Sequence, residues 1–418
     1  MMLARPTSTG PTSVGYIELP ISKSLMARRL LLLPPNELPE YLPQEYPIDI
    51  LALTRALRDL YHGCSVIDVN ESGTAMRFMT AYAAVCPSIS TPITLLGRGR
   101  QHHRPIAPLV NTLRELGADI EYLEQEGYPP LKITPKTLAG RRIRIDASSS
   151  SQYLSALMLI APLLEGDNYQ IDTTPYPIAS RPYAHMTLRC MTDWGYRWEE
   201  YHGVFTYLGG SNSTTRRLLE ADWTAASYAY LCVALGDAIR IYLPNLSLPS
   251  LQGDSLFLPK IFHSLGVQTD ILEDGIALHQ IPRGDSKIEH NCCDCPDIVP
   301  SIVGACLGLG RSFYLTGVSH LRIKESDRLE ALRQEVGKLG FILRLESDAI
   351  SWSPQDITPP PNNSICLEPH GDHRIAMGLA PLFAHKLRQV CVLHPEVVSK
   401  SFPQYWQVLT SLGYQLGP

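Results

Sequence analysis

The chain has 418 residues, which is enough for two or three domains. Its 36 Lys and Arg residues against 41 Asp and Glu give a net charge of −5, which excludes the overall basic footprint of a nucleic-acid-binding protein. With 44% hydrophobic and 18% charged residues, the chain can bury a sizeable core. We see no apolar run typical of a membrane span and no secretory signal in residues 1–20, so we expect a cytoplasmic protein with reduced cysteines.

One sequence pattern recurs along the chain: an amphipathic helix, a glycine, a strand, a short polar turn and another strand. It is clearest at residues 109–133, and it returns at 186–208, 258–278 and 332–352, with shortened copies at 53–69 and near the C-terminal end. The glycines that follow these six predicted helices are Gly63, Gly117, Gly195, Gly266, Gly340 and Gly413. Glycine readily adopts the left-handed conformation that ends a helix. Because the glycines recur every 54 to 78 residues, we interpret the chain as six similar supersecondary units.

A second, apolar helix is predicted in each unit, wherever an apolar run follows polar residues. The six runs begin at Ser22, Ser72, Ser148, Asp222, Pro296 and Gly371. They are apolar nearly all round, which is typical of buried helices. Helix N-termini carry positive partial charge and unpaired N–H groups, so these starts are candidate anion sites.

Cations cluster at or beside these helix starts, with few acids among them. The charged and polar groups there are Lys23, Ser24, Arg28, Gly73, Arg77, Arg104, Ser148 to Ser151, Gln152, Ser180, Arg181, Tyr183, Asp297, Lys324, Glu325, Arg328, Asp372, His373, Arg374 and Lys400. If the units converge, they predict a pocket for multiply anionic small molecules, since Arg grips carboxylate or phosphate through two N–H groups and Lys acts as a point charge. Asp297 and Glu325 would lie among cations, which lowers their pKa values and favours their use as general bases.

Each motif also has an interpretation without a ligand. The run SSSSQ (148–152) is typical of helix capping, and KESDR (324–328) is typical of a solvated first turn with favourable charge pairing. The segment HNCCDC (290–295) has a C-x-x-C spacing, but a structural zinc site wants four well-placed ligands and usually a second knuckle. We therefore expect no metal there and interpret the segment as the loop that delivers Asp297.

Taken together, the motifs resemble those of the 5-enolpyruvylshikimate-3-phosphate (EPSP) synthase family of enolpyruvyl transferases. They are SKSxxxR (22–28), SGTAMR (72–77), RPI (104–106), SSQ (150–152), SRPY (180–183), KESDR (324–328), DHR (372–374) and SKSFP (399–403). Any one of them is weak, whereas eight in the family's order, nearly end to end, are specific. The resemblance implies a two-domain inside-out α/β barrel, in which each domain has three βαβαββ repeats with buried parallel helices. One domain would comprise residues 1–19 and 220–418, and the other residues 20–219.

The resemblance also implies a reaction: transfer of the carboxyvinyl group of phosphoenolpyruvate to the 5-hydroxyl of shikimate 3-phosphate, giving EPSP and phosphate through a tetrahedral intermediate. This step belongs to aromatic amino acid biosynthesis and needs no metal or organic cofactor. Shikimate 3-phosphate is assigned to Lys23, Ser24, Arg28, Ser150, Ser151, Gln152, Ser180, Tyr183, Asp297, His320 and Lys324. Phosphoenolpyruvate is assigned to Lys23, Gly73, Arg104, Gln152, Glu325, Arg328, Arg374 and Lys400. The expected catalytic residues are Asp297, Glu325, Lys324 and Lys23, with Asp297 taking the hydroxyl proton and Glu325 protonating, then deprotonating, the enol carbon.

Three features depart from the family's pattern. Glu71 stands where Asn or Ala is usual, His320 replaces an amide residue, and the segment from Leu33 to Asn70 is short and proline-rich, which predicts a trimmed first repeat. One alternative is the sister enzyme that acts on UDP-N-acetylglucosamine, although the loop before Arg104 lacks its usual Cys. Another is a non-catalytic homologue that binds an anionic metabolite. We expect a monomer that binds only its two small substrates, no nucleic acid and no membrane. The resemblance implies that glyphosate occupies the phosphoenolpyruvate site in members of this family.

Overall fold

The computed structural model describes residues 1–5, 14–211, 219–236, 240–284, 287–360 and 365–417. The chain divides into two compact units, which we call unit 1 (Met1–Ser22 with Glu220–Pro418) and unit 2 (Lys23–Leu219). Within the described ranges, no helix is both long enough and apolar enough to cross a membrane.

The secondary structure alternates between helices and short strands along the chain. The helices are α1 Lys23–Leu32, α2 Ile48–Tyr61, α3 Gly73–Val85, α4 Ala107–Glu115, α5 Ser151–Leu159, α6 Arg181–Asp193, α7 Trp223–Ala234, α8 Asp254–Ser264, α9 Val299–Leu309, α10 Arg328–Gly337, α11 His373–Leu387 and α12 Tyr405–Ser411. The strands are β1 Met2–Ala4, β2 Val14–Tyr16, β3 Val66–Asp68, β4 Ile93–Leu96, β5 Asp119–Tyr122, β6 Leu131–Thr134, β7 Arg142–Arg144, β8 Gln170–Asp172, β9 Tyr196–Tyr201, β10 Val204–Gly210, β11 Arg240–Pro244, β12 Val267–Ile271, β13 Gly275–Gln280, β14 Ile288–Asn291, β15 Phe313–Thr316, β16 Arg344–Leu345, β17 Ala349–Trp352, β18 Cys366–Leu367, β19 Gln389–Val392 and β20 Gln415–Gly417. The six predicted apolar helices are present as α1, α3, α5, α7, α9 and α11.

The described strands form four-stranded sheets that share one topology. Each sheet has a parallel pair at one side, followed by two antiparallel pairings, as a βαβαββ connection produces. Unit 2 contains the sheets β3-β4-β6-β5 and β7-β8-β10-β9. Unit 1 contains β2-β11-β13-β12, β14-β15-β17-β16 and β18-β19-β1-β20, so the first strand of the chain completes the last sheet. The α/β fold class is therefore confirmed, and the repeats show themselves as repeated sheets.

The described part of unit 2 has two such sheets, where three repeats in each domain were expected. The chain leaves α1 through residues 33–47, which include five prolines, and then forms α2. Proline has no N–H to give to a strand ladder, so this connection is a poor source of strands. After α2, the chain turns at Gly63 and enters β3 of the next sheet directly. The first repeat is thus represented in the described residues by its helices alone.

The glycines that predicted the repeats adopt the expected backbone conformation. All of them have positive φ values, namely Gly63, Gly117, Gly195, Gly266, Gly340 and Gly413. Each of these residues follows a helix and precedes a strand. A left-handed residue at the helix end reverses the chain into the following strand, and glycine adopts that conformation without steric cost.

The core of unit 1 is built around α7, α9 and α11, whose residues are almost all buried. Helices α9 and α11 approach each other closely through Gly304 and Gly378. An added Cβ at Gly304 would lie 2.5 Å from the carbonyl oxygen of Gly378, and one at Gly378 would lie 2.6 Å from the Cβ of Pro300. Apolar residues all round the helices explain their burial, and the two glycines explain how closely they pack.

Candidate active site

Arg28 is enclosed within unit 2, with only 2% of its surface exposed. Its Nε donates to the hydroxyl of Thr187 at 2.7 Å, and its Nη2 donates to the hydroxyl of Ser155 at 3.2 Å. Nη1 and Nη2 also donate to the backbone carbonyls of Ser24 and Tyr183, at 2.8 and 3.0 Å. Burial lowers the pKa of Arg28 to about 10, which leaves it charged at neutral pH. The guanidinium therefore joins α1, α5 and α6 and keeps one N–H of Nη1 for a further partner.

Lys23, the first residue of α1, is paired with an acid that the sequence analysis missed. Its Nζ lies 2.9 Å from the Oδ2 of Asp49, on the first turn of α2, and both side chains are largely buried. This pairing fixes the direction of the lysine and offsets one positive charge of the unit. The only signal in the sequence is an acid on the apolar face of an amphipathic helix.

Two guanidinium groups lie against Gly73, the first residue of α3. An added Cβ at Gly73 would lie 2.4 Å from the Nη1 of Arg104 and 2.9 Å from the Nη1 of Arg77. Both arginines are buried, and Arg77 donates to the carbonyls of Gly73 and Pro105 at 3.0 and 3.1 Å. The missing side chain thus lets two cations reach the positive end of α3, an arrangement that suits an anionic group.

Glu71, which departs from the family's pattern, directs its carboxylate toward the loop after β4. Its Oε1 would lie 2.7 Å from a Cβ added at Gly99, and its backbone carbonyl accepts from the Nε2 of Gln101 at 2.8 Å. The next residue, Ser72, caps α3 by accepting from the backbone N–H of Ala75 at 3.2 Å. The carboxylate of Glu71 is therefore held beside the turn at Gly99.

The SSQ motif caps α5 and links it to α3. The hydroxyl of Ser150 accepts from the backbone N–H of Gln152 at 3.2 Å, so the capping interpretation is correct for this residue. The Nε2 of Gln152 donates to the hydroxyl of Thr74 at 2.9 Å. The Oε1 of Gln152 is buried and has no hydrogen-bond partner within the described ranges. A bound ligand could satisfy that acceptor. Ser151, the first residue of α5, is also buried.

The SRPY motif begins α6. Ser180 is buried and has a φ of 54°, in the left-handed region. The ring of Tyr183 lies with its centroid 6.0 Å from the guanidinium carbon of Arg28. Arg181 turns to Glu200, with which it forms an ion pair. The motif therefore brings Tyr183 to Arg28 and commits much of the charge of Arg181 to a surface partner.

In unit 1, Arg328 is surrounded by three carboxylates. Its Nε lies 2.9 Å from the Oδ2 of Asp372, its Nη1 lies 3.1 Å from the Oδ1 of Asp297, and its Nη2 lies 3.1 Å from the Oε2 of Glu325. Burial lowers the pKa of Arg328, but Asp372, Asp297 and Glu325 outweigh it, so the net shift is upward. Arg328 therefore stays charged and holds the two predicted catalytic acids on one guanidinium.

Asp297 lies in the short turn before α9 and bridges two guanidinium groups. Besides Arg328, it accepts from the Nη2 of Arg374 at 2.8 Å. Burial would raise the pKa of Asp297, but Arg374, Arg328 and Lys324 together hold it well below its usual range. The carboxylate is ionised at neutral pH, and its pairing with both arginines makes it a weak base.

The remaining predicted residues of unit 1 lie in two short turns. His320 is buried in the turn Ser319–Ile323, where burial and then Lys324 lower its pKa to about 4, so the imidazole is neutral at pH 7. Its Nε2 is buried and has no hydrogen-bond partner among the described residues. A neutral imidazole can replace an amide because it offers a hydrogen bond without a charge. Lys324 follows this turn, and Lys400 is buried in the turn Pro395–Lys400.

Two further acids shape unit 1 without having been assigned a role from the sequence. Asp372 caps α11 by accepting from the backbone N–H of Arg374 at 2.9 Å, in addition to its pair with Arg328. Asp254, the first residue of α8, is 3% exposed, and its Oδ2 accepts from the hydroxyl of Thr224. Burial raises the pKa of Asp254 to about 7, and nearby Asp297 adds to the shift. Asp372 and Asp254 therefore make the charged cluster of unit 1 less positive than a count of its motif residues indicates.

The C-x-x-C segment leads into Asp297 as expected. Cys292 and Cys295 are fully buried and hydrogen-bond to each other in the turns that follow β14. Within the ranges that the structure describes, no group of three or more His, Cys, Asp or Glu side chains is arranged to hold a metal ion.

Known proteins similar to this chain match most of its length. The family model for EPSP synthase (3-phosphoshikimate 1-carboxyvinyltransferase) matches residues 52–409. Two relatives from Bacteroides fragilis, strains YCH46 and ATCC 25285, are both named 3-phosphoshikimate 1-carboxyvinyltransferase. They are 38% and 37% identical over 403 and 417 residues, and each alignment covers 95% of both chains. A relative of the same name from Methanoculleus marisnigri is 32% identical over 351 residues, covering 83% of this chain and 79% of its own.

Solved structures share the fold over the whole chain. An EPSP synthase from Acinetobacter baumannii superposes with a TM-score of 0.72 at 20% identity, covering 100% of this chain and 99% of its own. The α/β fold predicted from the sequence is the fold of these structures. The family predicted from the eight motifs is also confirmed, and the shikimate-pathway transferase is favoured over the UDP-N-acetylglucosamine alternative. The chain belongs to the EPSP synthase family of carboxyvinyl transferases.

Proposed function

We propose that the protein transfers the carboxyvinyl group of phosphoenolpyruvate to the 5-hydroxyl of shikimate 3-phosphate, releasing phosphate. The observation that carries this proposal is the ionised carboxylate of Asp297, held between Arg328 and Arg374. An ionised carboxylate can accept the hydroxyl proton, and the guanidiniums beside it can bind an anionic partner of that hydroxyl.

The residues that bind shikimate 3-phosphate in this proposal are Lys23, Ser24, Arg28, Ser150, Ser151, Gln152, Ser180, Tyr183, Asp297, His320 and Lys324. Arg28 has one N–H left, so it grips the shikimate carboxylate through a single hydrogen bond and through its charge. The buried Oε1 of Gln152 and Nε2 of His320 have no hydrogen-bond partner among the described residues, which supports their use for ligand groups.

Phosphoenolpyruvate is held mainly by cations, together with Gly73, Gln152 and Glu325. The contributing residues are Lys23, Gly73, Arg104, Gln152, Glu325, Arg328, Arg374 and Lys400. When an anionic group of this substrate takes N–H donors of Arg374, that guanidinium is shared between two anions. Its hold on Asp297 then weakens and the basicity of Asp297 rises, because the compensating positive charge is partly used elsewhere. Binding of phosphoenolpyruvate thereby makes Asp297 a stronger base for the 5-hydroxyl of shikimate 3-phosphate.

The chemistry needs one base and one acid that reverses its role. Asp297 takes the proton of the 5-hydroxyl as its oxygen adds to C2, while Glu325 protonates C3 and produces the tetrahedral intermediate. Glu325 then removes a C3 proton as the C2–O bond to phosphate breaks, which forms the vinyl group of the product. Lys23 and Lys324 stabilise the charge that develops on the leaving phosphate and the acceptor.

The proposal also covers the domain architecture, the oligomeric state, the location and the cofactor requirement of the protein. Each domain is an inside-out α/β barrel, one comprising residues 1–19 and 220–418 and the other residues 20–219. The protein is a cytoplasmic monomer that needs no metal or organic cofactor. The family membership and the repeated sheets of each unit support the repeat architecture of the two domains.

The test is phosphate release from the purified protein with both substrates, with each omitted in turn, and with UDP-N-acetylglucosamine replacing shikimate 3-phosphate. We expect release only when shikimate 3-phosphate and phosphoenolpyruvate are both present. Release with UDP-N-acetylglucosamine instead would support the sister activity. No release, while calorimetry still detects binding of shikimate 3-phosphate, would support a non-catalytic homologue.

A further inference from the structure

Two cysteines face each other on the sheet that leads into the DHR motif. Cys366 of β18 and Cys391 of β19 are register partners in a parallel strand pair. Both are half-buried, whereas the next residues, Leu367 and Val392, are completely buried. Because side chains alternate between the faces of a strand, the two thiols share the outer face of this sheet. The thiols hydrogen-bond to each other.

The geometry suits a disulfide bond. Neighbouring strands lie about 4.8 Å apart, which falls within the Cα separation of roughly 4.4–6.8 Å that a disulfide spans. Both cysteines are thiols in the structure. We propose that Cys366 and Cys391 form a reversible disulfide when the protein meets a peroxide or a low-molecular-weight disulfide.

The oxidation balances with either oxidant. With hydrogen peroxide, one thiol sulfur is first oxidised to a sulfenic acid with loss of water, and the second sulfur displaces a second water to form the S–S bond. With oxidised glutathione, the two thiols give the protein disulfide and two molecules of reduced glutathione. The hydrogen bond to Cys391 and burial raise the pKa of Cys366, although Lys338 opposes the shift. The raised pKa keeps the Cys366 thiol protonated at neutral pH, so the bond forms only with added oxidant.

The bond would tie together the two ends of the segment that carries α11. This segment, residues 366–391, includes Asp372 and Arg374. A crosslink across it reduces the freedom of the unfolded chain and raises the thermal midpoint. Because the two strands are already paired, the bond requires no displacement of Asp372 or Arg374. We expect turnover of the oxidised protein to stay within about twofold of the reduced protein.

The test is mass spectrometry of the full-length protein after treatment with hydrogen peroxide or oxidised glutathione, alkylation of remaining thiols and trypsin digestion. Cleavage after Arg344, Arg374, Arg388 and Lys400 places the two cysteines on separate peptides, 345–374 and 389–400, each with a single cysteine. We expect these peptides to be joined, the link to be lost with dithiothreitol, and the thermal midpoint to rise and fall with the link.

Serine variants separate this pair from the other thiols. C366S and C391S should each abolish both the link and the rise in thermal midpoint, whereas C64S, at an exposed cysteine, should leave both intact. If the oxidised wild-type protein shows both peptides separately alkylated, or each carrying its own glutathione, the inference is wrong. That result comes from the unmodified sequence and does not depend on whether a variant folds.

Discussion

Arg328 and Asp372 form an ion pair that is closed to solvent: the Nε–Oδ2 distance is 2.9 Å, and the side chains are 1% and 0% exposed. The pair joins the first turn of α10 to the cap of α11. The positive charge of Arg328 is thus balanced by Asp372, an acid that no proposed step uses. The remaining nitrogens of Arg328 hold Asp297 and Glu325. Arg328 is built to orient acids, whereas Arg374, at 8% exposed, is better placed to meet a substrate.

This difference predicts distinct kinetic effects for two conservative variants. R328K should lower kcat about 100-fold or more, with a smaller rise in the KM for phosphoenolpyruvate than R374K causes, since an ammonium group cannot hold three carboxylates in one plane. R374K should instead raise the KM for phosphoenolpyruvate, by about tenfold. Steady-state kinetics with each substrate varied would separate the two. Equal rises in KM for both variants would contradict the orienting role of Arg328.

Asp297→Asn should remove the proton acceptor and leave the acceptor substrate bound. We expect turnover to fall by about a thousandfold or more, with shikimate 3-phosphate still detected by calorimetry. D294N, in the turn just before, serves as the matched control and should keep normal turnover. Turnover of D297N close to that of the wild type would exclude Asp297 as the base.

Glu71→Asn should change kcat/KM for phosphoenolpyruvate by less than about threefold. The reason is that the carboxylate is held beside Gly99, where it is exposed and screened by solvent. The comparison needs only initial rates at limiting phosphoenolpyruvate. A gain of tenfold or more would show that Glu71 impairs the native site, and would favour the non-catalytic alternative.

Gly73→Ala should weaken phosphoenolpyruvate binding. The new Cβ would lie 2.4 Å from the Nη1 of Arg104, so the guanidinium must move away from the start of α3. We expect a KM for phosphoenolpyruvate raised about tenfold or more, with the KM for shikimate 3-phosphate much less affected. G337A, at a helical glycine of α10 with no neighbour within 4 Å of an added Cβ, is the control for a general effect of alanine. An unchanged KM for phosphoenolpyruvate would contradict a role for this helix start.

The raised pKa of Asp254 predicts that the free energy of unfolding depends on pH. Its pKa in the folded protein is about 7, against an ordinary value of 3.8, so the folded state holds a proton that the unfolded state releases between these values. The wild type should therefore lose stability relative to D254N as the pH rises, by roughly 2–3 kcal/mol between pH 5 and pH 7. Urea unfolding of both proteins at the two pH values tests this, with the exposed-site variant D167N as control. A wild-type loss no larger than that of D254N would contradict the prediction.

Local sequence patterns predicted the fold class. The features that the sequence did not predict are contacts between residues far apart in the chain. Gly117 and Gly266 predict helix ends, because the backbone conformation of a residue at a helix end depends on its neighbours in the chain. Arg28 donates a hydrogen bond to Thr187, which is 159 residues away in the chain. A pairing at that separation produces no recognisable pattern in the sequence around either residue. The acid Asp49 was missed for the same reason, because it matters only where α2 packs beside Lys23. The motif residues themselves were found because each lies at a helix start.

Strand β1 lies between β19 and β20, so residues 2–4 have no sheet to join until the last residues of the chain exist. Unit 2, in contrast, is encoded without interruption by residues 23–219. On the ribosome, unit 2 can therefore finish folding while the first strand of unit 1 is still waiting for partners. The first strand stays unpaired for most of synthesis, and we expect unit 1 to complete its fold after unit 2.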